Sequence, residues 1–247
     1  MKSNVVLITG GTGAIGTALC KQFHSENYQV VANCHTSDVD RSTEVVNALV
    51  IEGVNVELLP FDVTDAAACN TAVEDIEARI GPIAVIVNAA GITRDAKLAN
   101  LEPEQWDAVL RTNLDGVYNV SRPAIAPMTA RKYGRIVNIS SVNGQRGQIG
   151  QTNYSAAKAG MTGFTKALAR EVARDGITVN SVSPGYVQSP MIQAVPEPVR
   201  EKIVKQIPVG RFAEPSEIAR AVSFLANEQS SYITGTDLSV NGGYHIG

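Results

Sequence analysis

The chain has 247 residues, 44% hydrophobic and 18% charged, with a net charge of −3, as expected of one soluble globular domain. That balance excludes a general nucleic-acid binder, which needs a basic stripe. No apolar run reaches the roughly 20 residues of a membrane helix, so no membrane partner is expected. Cys20, Cys34, Cys69 and His24, His35, His245 are scattered, which fits neither a disulfide framework nor a metal site. With no signal-peptide pattern after Met1, the expected place is the cytoplasm.

The first strand is expected at 5–9, followed at once by Gly10-Gly11-Thr12-Gly13-Ala14-Ile15-Gly16 and a helix over 15–27. Glycines there let the backbone turn sharply and approach a pyrophosphate, while the helix start offers free N–H groups and a positive dipole end. Gly10, Thr12, Gly13, Ile15 and Gly16 are therefore expected at a dinucleotide. The second strand, 29–34, leads to the position where an acidic residue binds a ribose 2′-hydroxyl and repels a 2′-phosphate. No carboxylate stands there before Asp38, while Thr36 and Ser37 are small and polar and Arg41 follows. The pattern predicts NADPH; the other reading makes Arg41 a solvated residue at the start of the helix over 40–52.

The third strand, 55–61, ends at Asp62-Val63, which either contacts adenine or, through Asp62, caps the helix over 65–80. The fourth, 84–88, ends in Asn88-Ala89-Ala90-Gly91, small residues that leave room for a cofactor beside the backbone. The helical stretch 102–133 contains Gly116, Pro123 and Pro127, which predicts two helices or a kinked one.

The fifth strand, 135–140, delivers Ser141, and a helix over 154–175 opens on Tyr154 with Lys158 one turn later. Residues i and i+4 share a helix face. A free phenol has a pKa of about 10; a nearby cation lowers it, making tyrosine usable as a general acid or base. Tyr118, Tyr133 and Tyr186 lack a lysine four residues later. Ser140 adjoins Ser141 and offers the same hydroxyl, but the thirteen-residue spacing to Tyr154 favours Ser141.

After the sixth strand, 177–182, Pro184, Pro190, Pro196, Pro198 and Pro208 interrupt the alternation. An irregular insertion at the carboxyl edge of a parallel sheet lies where ligands bind, so 186–210 reads as a substrate lid, or else as a plain surface loop. A helix over 215–225 and a strand at 237–240 complete the chain. This alternation predicts an α/β, single-domain Rossmann fold over 1–247, a doubly wound seven-stranded parallel sheet with helices on both faces.

In this order, the glycine motif, Asp62, Asn88 to Gly91, Asn113, Ser141, Tyr154, Lys158 and Pro184-Gly185 resemble the short-chain dehydrogenase/reductase family in its older, short form. The resemblance spans essentially the whole chain; Ala14 departs, standing where the family more often has glycine. It implies that Tyr154 gives a proton to a substrate carbonyl, while Lys158 lowers its pKa and binds the nicotinamide ribose. Ser141 would hold the carbonyl, Asn113 would anchor a water between Lys158 and solvent, Pro184-Gly185 would lie beside the nicotinamide, and the backbone near Val187 would bind its carboxamide. It also implies a homotetramer, with 102–133 and 154–175 at one interface and the C-terminal segment at another.

Within the family, the runs 91–95, 134–145, 150–154 and 241–247 are similar to the acetoacetyl-CoA reductases of polyhydroxybutyrate synthesis. These reduce acetoacetyl-CoA with NADPH to (R)-3-hydroxybutyryl-CoA; the 3-oxoacyl-[acyl-carrier-protein] reductases are the related alternative. Asp95, Gln148, Gln151 and Tyr186 are then the expected contacts of a small acyl-CoA substrate, Tyr186 being otherwise part of a loop aromatic cluster. Arg131, Lys132 and Arg135 would either dock an acidic carrier or meet CoA phosphates. A non-enzymatic NADP-binding sensor would have lost its catalytic residues, yet Ser141, Tyr154, Lys158 and Asn113 are all present.

Overall fold

The computed structural model describes residues 4–247. Short runs rich in valine and isoleucine form β1 (Val5–Thr9), β2 (Gln29–Cys34), β3 (Val56–Pro60), β4 (Ile83–Asn88), β5 (Gly134–Ile139), β6 (Ile177–Pro184) and β7 (Asp237–Val240). They make one parallel sheet in the order β3-β2-β1-β4-β5-β6-β7. Alternate side chains of β1 enter opposite cores. Val5 and Leu7 pack with α3 (Ala66–Asp75), α5 (Gly116–Arg131) and α7 (Thr152–Val172). Val6 and Ile8 pack with α1 (Ala14–Ser25), α2 (Val39–Ile51) and α10 (Pro215–Ala226). Burial from both sides explains why β1, β4, β5 and β6 are buried throughout. Phe23 of α1 is fully enclosed and meets Tyr28 edge-on at 5.3 Å, a burial that contributes about 1.5–3 kcal/mol.

The strand order reverses between β1 and β4, and ligands of such sheets bind at the carboxyl ends beside that point. In 102–133 the helical backbone runs on without a gap, and its irregularity is not at the prolines. A wide π-type turn, Arg111–Asp115, separates α4 (Pro103–Leu110) from α5, whereas Pro123 and Pro127 lie inside α5. The proline-rich insertion also departs from an irregular loop, containing α8 (Pro190–Gln193) and α9 (Glu197–Val204). Pro190 occupies the first helical position, where no N–H is needed, and the Ser189 hydroxyl accepts the Ile192 N–H at 3.3 Å. A five-residue helix unforeseen from the sequence, α6 (Val142–Arg146), fills the space before α7. No described helix is long and apolar enough to cross a membrane.

Candidate active site

Strand β5 ends against α7, and the two neighbouring serines part company there. The Ser140 hydroxyl donates to the Lys158 carbonyl at 3.0 Å, tying the helix to the strand end. Ser141 caps α6 by accepting the Asn143 N–H at 3.1 Å, and its side chain hydrogen-bonds the Tyr154 phenol. Of the two, only Ser141 faces the tyrosine. A Cβ on Gly144 would stand 2.9 Å from Lys158 Cβ, so α6 packs backbone-close on α7.

Lys158 is 3% exposed and donates to the Ile139 carbonyl at 2.7 Å. Burial pulls its pKa down to about 7. Its Nζ lies 5.7 Å from the Tyr154 ring centroid. The expectation that this lysine lowers the Tyr154 pKa is not met. Burial pushes the phenol up, the Ser141 hydrogen bond draws it partly back, and the Asp95 charge adds to the rise. The lysine is turned toward a carbonyl and is only partly charged at neutrality, so desolvation wins. The phenol is held as an acid.

Asn113 sits in the π-type turn, fully buried. Its amide donates to the carbonyls of Ile92 and Val109, both at 2.9 Å, and accepts the Ile92 N–H at 3.1 Å. A Cβ on Gly91 would come within 2.5 Å of Asn113 Oδ1 and 3.6 Å of Lys158 Nζ. Only glycine fits between these side chains, and Asn113 thereby pins the loop after β4 over Lys158.

A cleft of about 630 Å³ runs from Gly10, Thr12 and Gly13 past Asp62, Val63, Ala89 and Gly91 to Ser37 and Arg41. Gly13, at the N-cap of α1, brings no side chain, and the first turn holds no acidic residue; its N–H groups suit an anion. The free N–H groups at its glycine loop and the Arg41 guanidinium suit the phosphates of a nicotinamide dinucleotide. Ile15 and Gly16 do not line it. A Cβ on Gly16 would lie 2.2 Å from the Gly10 carbonyl, so that glycine serves loop-to-helix packing. Thr36 adjoins the lining residue Ser37 in a single 3-10 turn.

The Asn88 side chain is turned elsewhere. It donates to Ser121 Oγ at 3.2 Å and Asn138 Oδ1 at 2.8 Å, in a buried network that continues to Thr165. The side chain serves the fold, and the room beside the backbone is at the following Ala89, Ala90 and Gly91, which line the cleft. Asp62 is not a helix cap: Asp65 caps α3, while Asp62 accepts the Thr64 N–H at 2.8 Å and faces His35 at 3.6 Å. Burial raises the Asp62 pKa, but these two partners outweigh it and leave it below the ordinary value. Arg41 lies 3.8 Å from Asp38, a carboxylate in the same cleft.

Asn33 escaped the sequence reading. Its amide accepts the Gly10 N–H at 3.4 Å and donates to the carbonyls of Cys34 and Phe61, both at 2.9 Å. A polar residue inside an otherwise apolar strand was the available signal. Across the sheet edge, Gly185 donates to the Val240 carbonyl at 3.0 Å, and Pro184 closes β6. Val187 bridges Ala213, a pairing that turns its own N–H and carbonyl to the opposite side.

A second cavity, about 660 Å³, is lined by Gln148, Tyr186, Tyr244, Ile149, Arg146, Gln206 and two apolar residues of α9. Tyr186 is both cavity wall and cluster member, meeting Tyr244 at 5.4 Å and Phe212 at 6.1 Å. Asp95 and Gln151 are not among its walls. Gln151 donates to Asp95 at 2.8 Å and accepts from Asn143 at 2.9 Å. Both ends of that amide have protein partners, so Gln151 braces α6 against the loop after β4. Nor do Arg131, Lys132 and Arg135 form a free basic patch. Arg131 pairs with Glu77, Lys132 with Asp175, and Arg135 is 2% exposed.

The parallel fold, the glycine-loop cleft and the Ser141–Tyr154–Lys158 group define one class of protein. A family model described as enoyl-(acyl carrier protein) reductase matches residues 11–245, and the chain belongs to the short-chain dehydrogenase/reductase family. It is similar to the acetoacetyl-CoA reductase of Paracoccus denitrificans, 49% identical over 243 residues and 98% of each chain. That of Allochromatium vinosum is 48% identical over 241 residues, again 98% of each chain. The 3-oxoacyl-[acyl-carrier-protein] reductase of Haemophilus influenzae is 40% identical over 246 residues, 100% of each chain.

Proposed function

We propose that the protein is an NADPH-dependent reductase converting acetoacetyl-CoA to (R)-3-hydroxybutyryl-CoA, as in polyhydroxybutyrate synthesis. The observation that carries this reading is the Ser141–Tyr154 pair over buried Lys158, at the sheet edge that holds the glycine-loop cleft. The higher identity to acetoacetyl-CoA reductases than to the acyl-carrier-protein enzyme supports the choice of thioester. Thr36, Ser37 and Arg41 would receive the 2′-phosphate.

The chemistry that NADPH would supply when bound in the cleft is a hydride for the carbonyl carbon. Tyr154, kept protonated by burial, donates its proton to the carbonyl oxygen as charge develops there. Ser141 donates a hydrogen bond to the same oxygen and holds it against the phenol. Lys158, with a pKa near neutrality, returns a proton toward Tyr154. Asn113 would anchor the water that refills the lysine. Gln148 and Tyr186 would meet the acyl thioester beneath a lid over 186–210.

We also propose a cytoplasmic homotetramer, for which the exposed Trp106 and Tyr118 on α4 and α5, and Phe224 and Tyr232 toward the C-terminal side, are the supporting apolar surface.

Purified protein is expected to oxidise NADPH with acetoacetyl-CoA much faster than it oxidises NADH, or reduces acetoacetyl-carrier protein. Equal or better turnover of the carrier-bound substrate would overturn the assignment.

A further inference from the structure

We infer that Asp237, at the start of β7, is a positioning residue for Ser141, acting through Gln145. Its kinetic consequence rests on the reductase reading; the tie itself does not.

The Asp237 carboxylate gathers three side chains. Oδ1 accepts from the hydroxyls of Ser181 and Ser183, both at 2.8 Å, and Oδ2 accepts from Gln145 Nε2 at 2.8 Å. Ser181 and Ser183 are fully buried. These partners are hydroxyls and an amide, all neutral donors, and an ionised acceptor makes such bonds roughly twice as strong as neutral ones. Gln145 donates also to Ser239 Oγ at 2.8 Å, while its own Oε1 is buried without a partner. The amide therefore serves purely as a donor here, and residue 237 has to supply the acceptor.

What the tether holds is α6. Five residues make little more than one turn, too short to be stable by itself, so its orientation comes from its contacts. Ser141 caps the beginning, Gly144 presses on Lys158 in the middle, and Gln145 ties the end to β7. Releasing Gln145 lets the short helix pivot about Gly144 and carries Ser141 Oγ away from the Tyr154 phenol. Ser183 lies next to Pro184-Gly185, so the same carboxylate steadies the segment on the far side of the site.

The test is a donor–acceptor swap. Gln145→Glu sets a carboxylate against that of Asp237, and kcat for acetoacetyl-CoA should fall about 30-fold, on the scale of losses from small misplacements. The affinity for NADPH should stay within about twofold, because the tie does not touch the glycine-loop cleft. Adding Asp237→Asn restores one donor facing one acceptor and should recover kcat to within about threefold. In a Ser141→Ala background, Gln145→Glu should have no further effect on kcat. Independently of activity, amide hydrogen exchange over 142–147 should quicken about tenfold in Gln145→Glu and recover in the swap. Gln145→Met, isosteric and neutral, should reproduce the loss if the charged variant misfolds.

Unchanged exchange over 142–147, a swap that fails to rescue, or a loss that multiplies fully with Ser141→Ala would each overturn the proposal. If the wild type reduces neither thioester, the reductase reading falls alone, and the exchange measurement still decides the tie.

Discussion

On the side of β1, β2 and β4, the site is made chiefly of main chain. Gly11 donates to the Asn33 carbonyl at 2.9 Å, Gly13 to that of Gly10 at 3.1 Å, and the Ala89 and Ala90 N–H groups to Thr9 Oγ1 at 3.0 and 3.1 Å. On the side of β5, β6 and β7, it is made of side chains that reach across the chain: Gln145 to Asp237, Gln151 to Asp95, and Tyr186 to Tyr244. A main-chain cradle needs only small residues at fixed spacing after a strand. A side-chain scaffold needs matched partners supplied from distant segments, so it can be reshaped for a new substrate without disturbing the cradle.

The largest effect that separates the two sides is expected from Tyr154→Phe. It removes the transferable proton and should lower kcat about 1,000-fold while NADPH affinity stays within about twofold. Steady-state assays with a fluorescence titration of NADPH check both halves; activity above about a tenth of wild type would mean another group is the acid.

Lys158→Met tests what burying a cation between the two sides costs. A pKa of about 7 in the folded protein, against 10.5 as the ordinary value, corresponds to about 5 kcal/mol of destabilisation below pH 7. The sign follows from the lowered folded value: between pH 7 and 10.5 the unfolded chain binds the extra proton, so wild-type stability rises with pH there. The variant leaves the Ile139 carbonyl unpaired, which returns about 1–3 kcal/mol. It should be inactive yet melt several degrees higher at pH 6, with the gain shrinking by pH 9. Thermal melts at both values measure it, and a variant less stable at pH 6 would refute the account.

The smallest effect is on the cradle's outer rim. Arg41→Ala should raise KM for NADPH about tenfold, the scale of one charge-assisted phosphate contact, and leave KM for NADH unchanged. Parallel loss with both cofactors would mean that Arg41 does not read the 2′-phosphate.

The cradle was the more legible region. The spacing of Gly10, Gly13 and Gly16 after five strand residues announces a turn with a physical purpose, and Tyr154 and Lys158 fall on one helix face by periodicity alone. The π-type turn at Asn113 was not legible, because the prolines nearby draw attention to a different part of the helix. Nor was the identity of the capping carboxylate, since Asp62 and Asp65 stand three residues apart before the same helix. The ties of Asn88 and Gln151 were not legible either, because their partners, Asn138 and Asp95, are 50 and 56 residues away.

By itself, then, the sequence determined the strand–helix alternation, the parallel sheet, the glycine cradle and the tyrosine–lysine pair. All of these follow from periodicity and from residues close together in the chain. Tertiary structure alone decided that Ser140 ties β5 to α7, that desolvation outweighs the lysine at Tyr154, and that Asp237 steadies α6. Each of those depends on burial or on a partner remote in sequence, and neither the local dielectric nor a long-range hydrogen bond is written in the spacing of neighbouring residues.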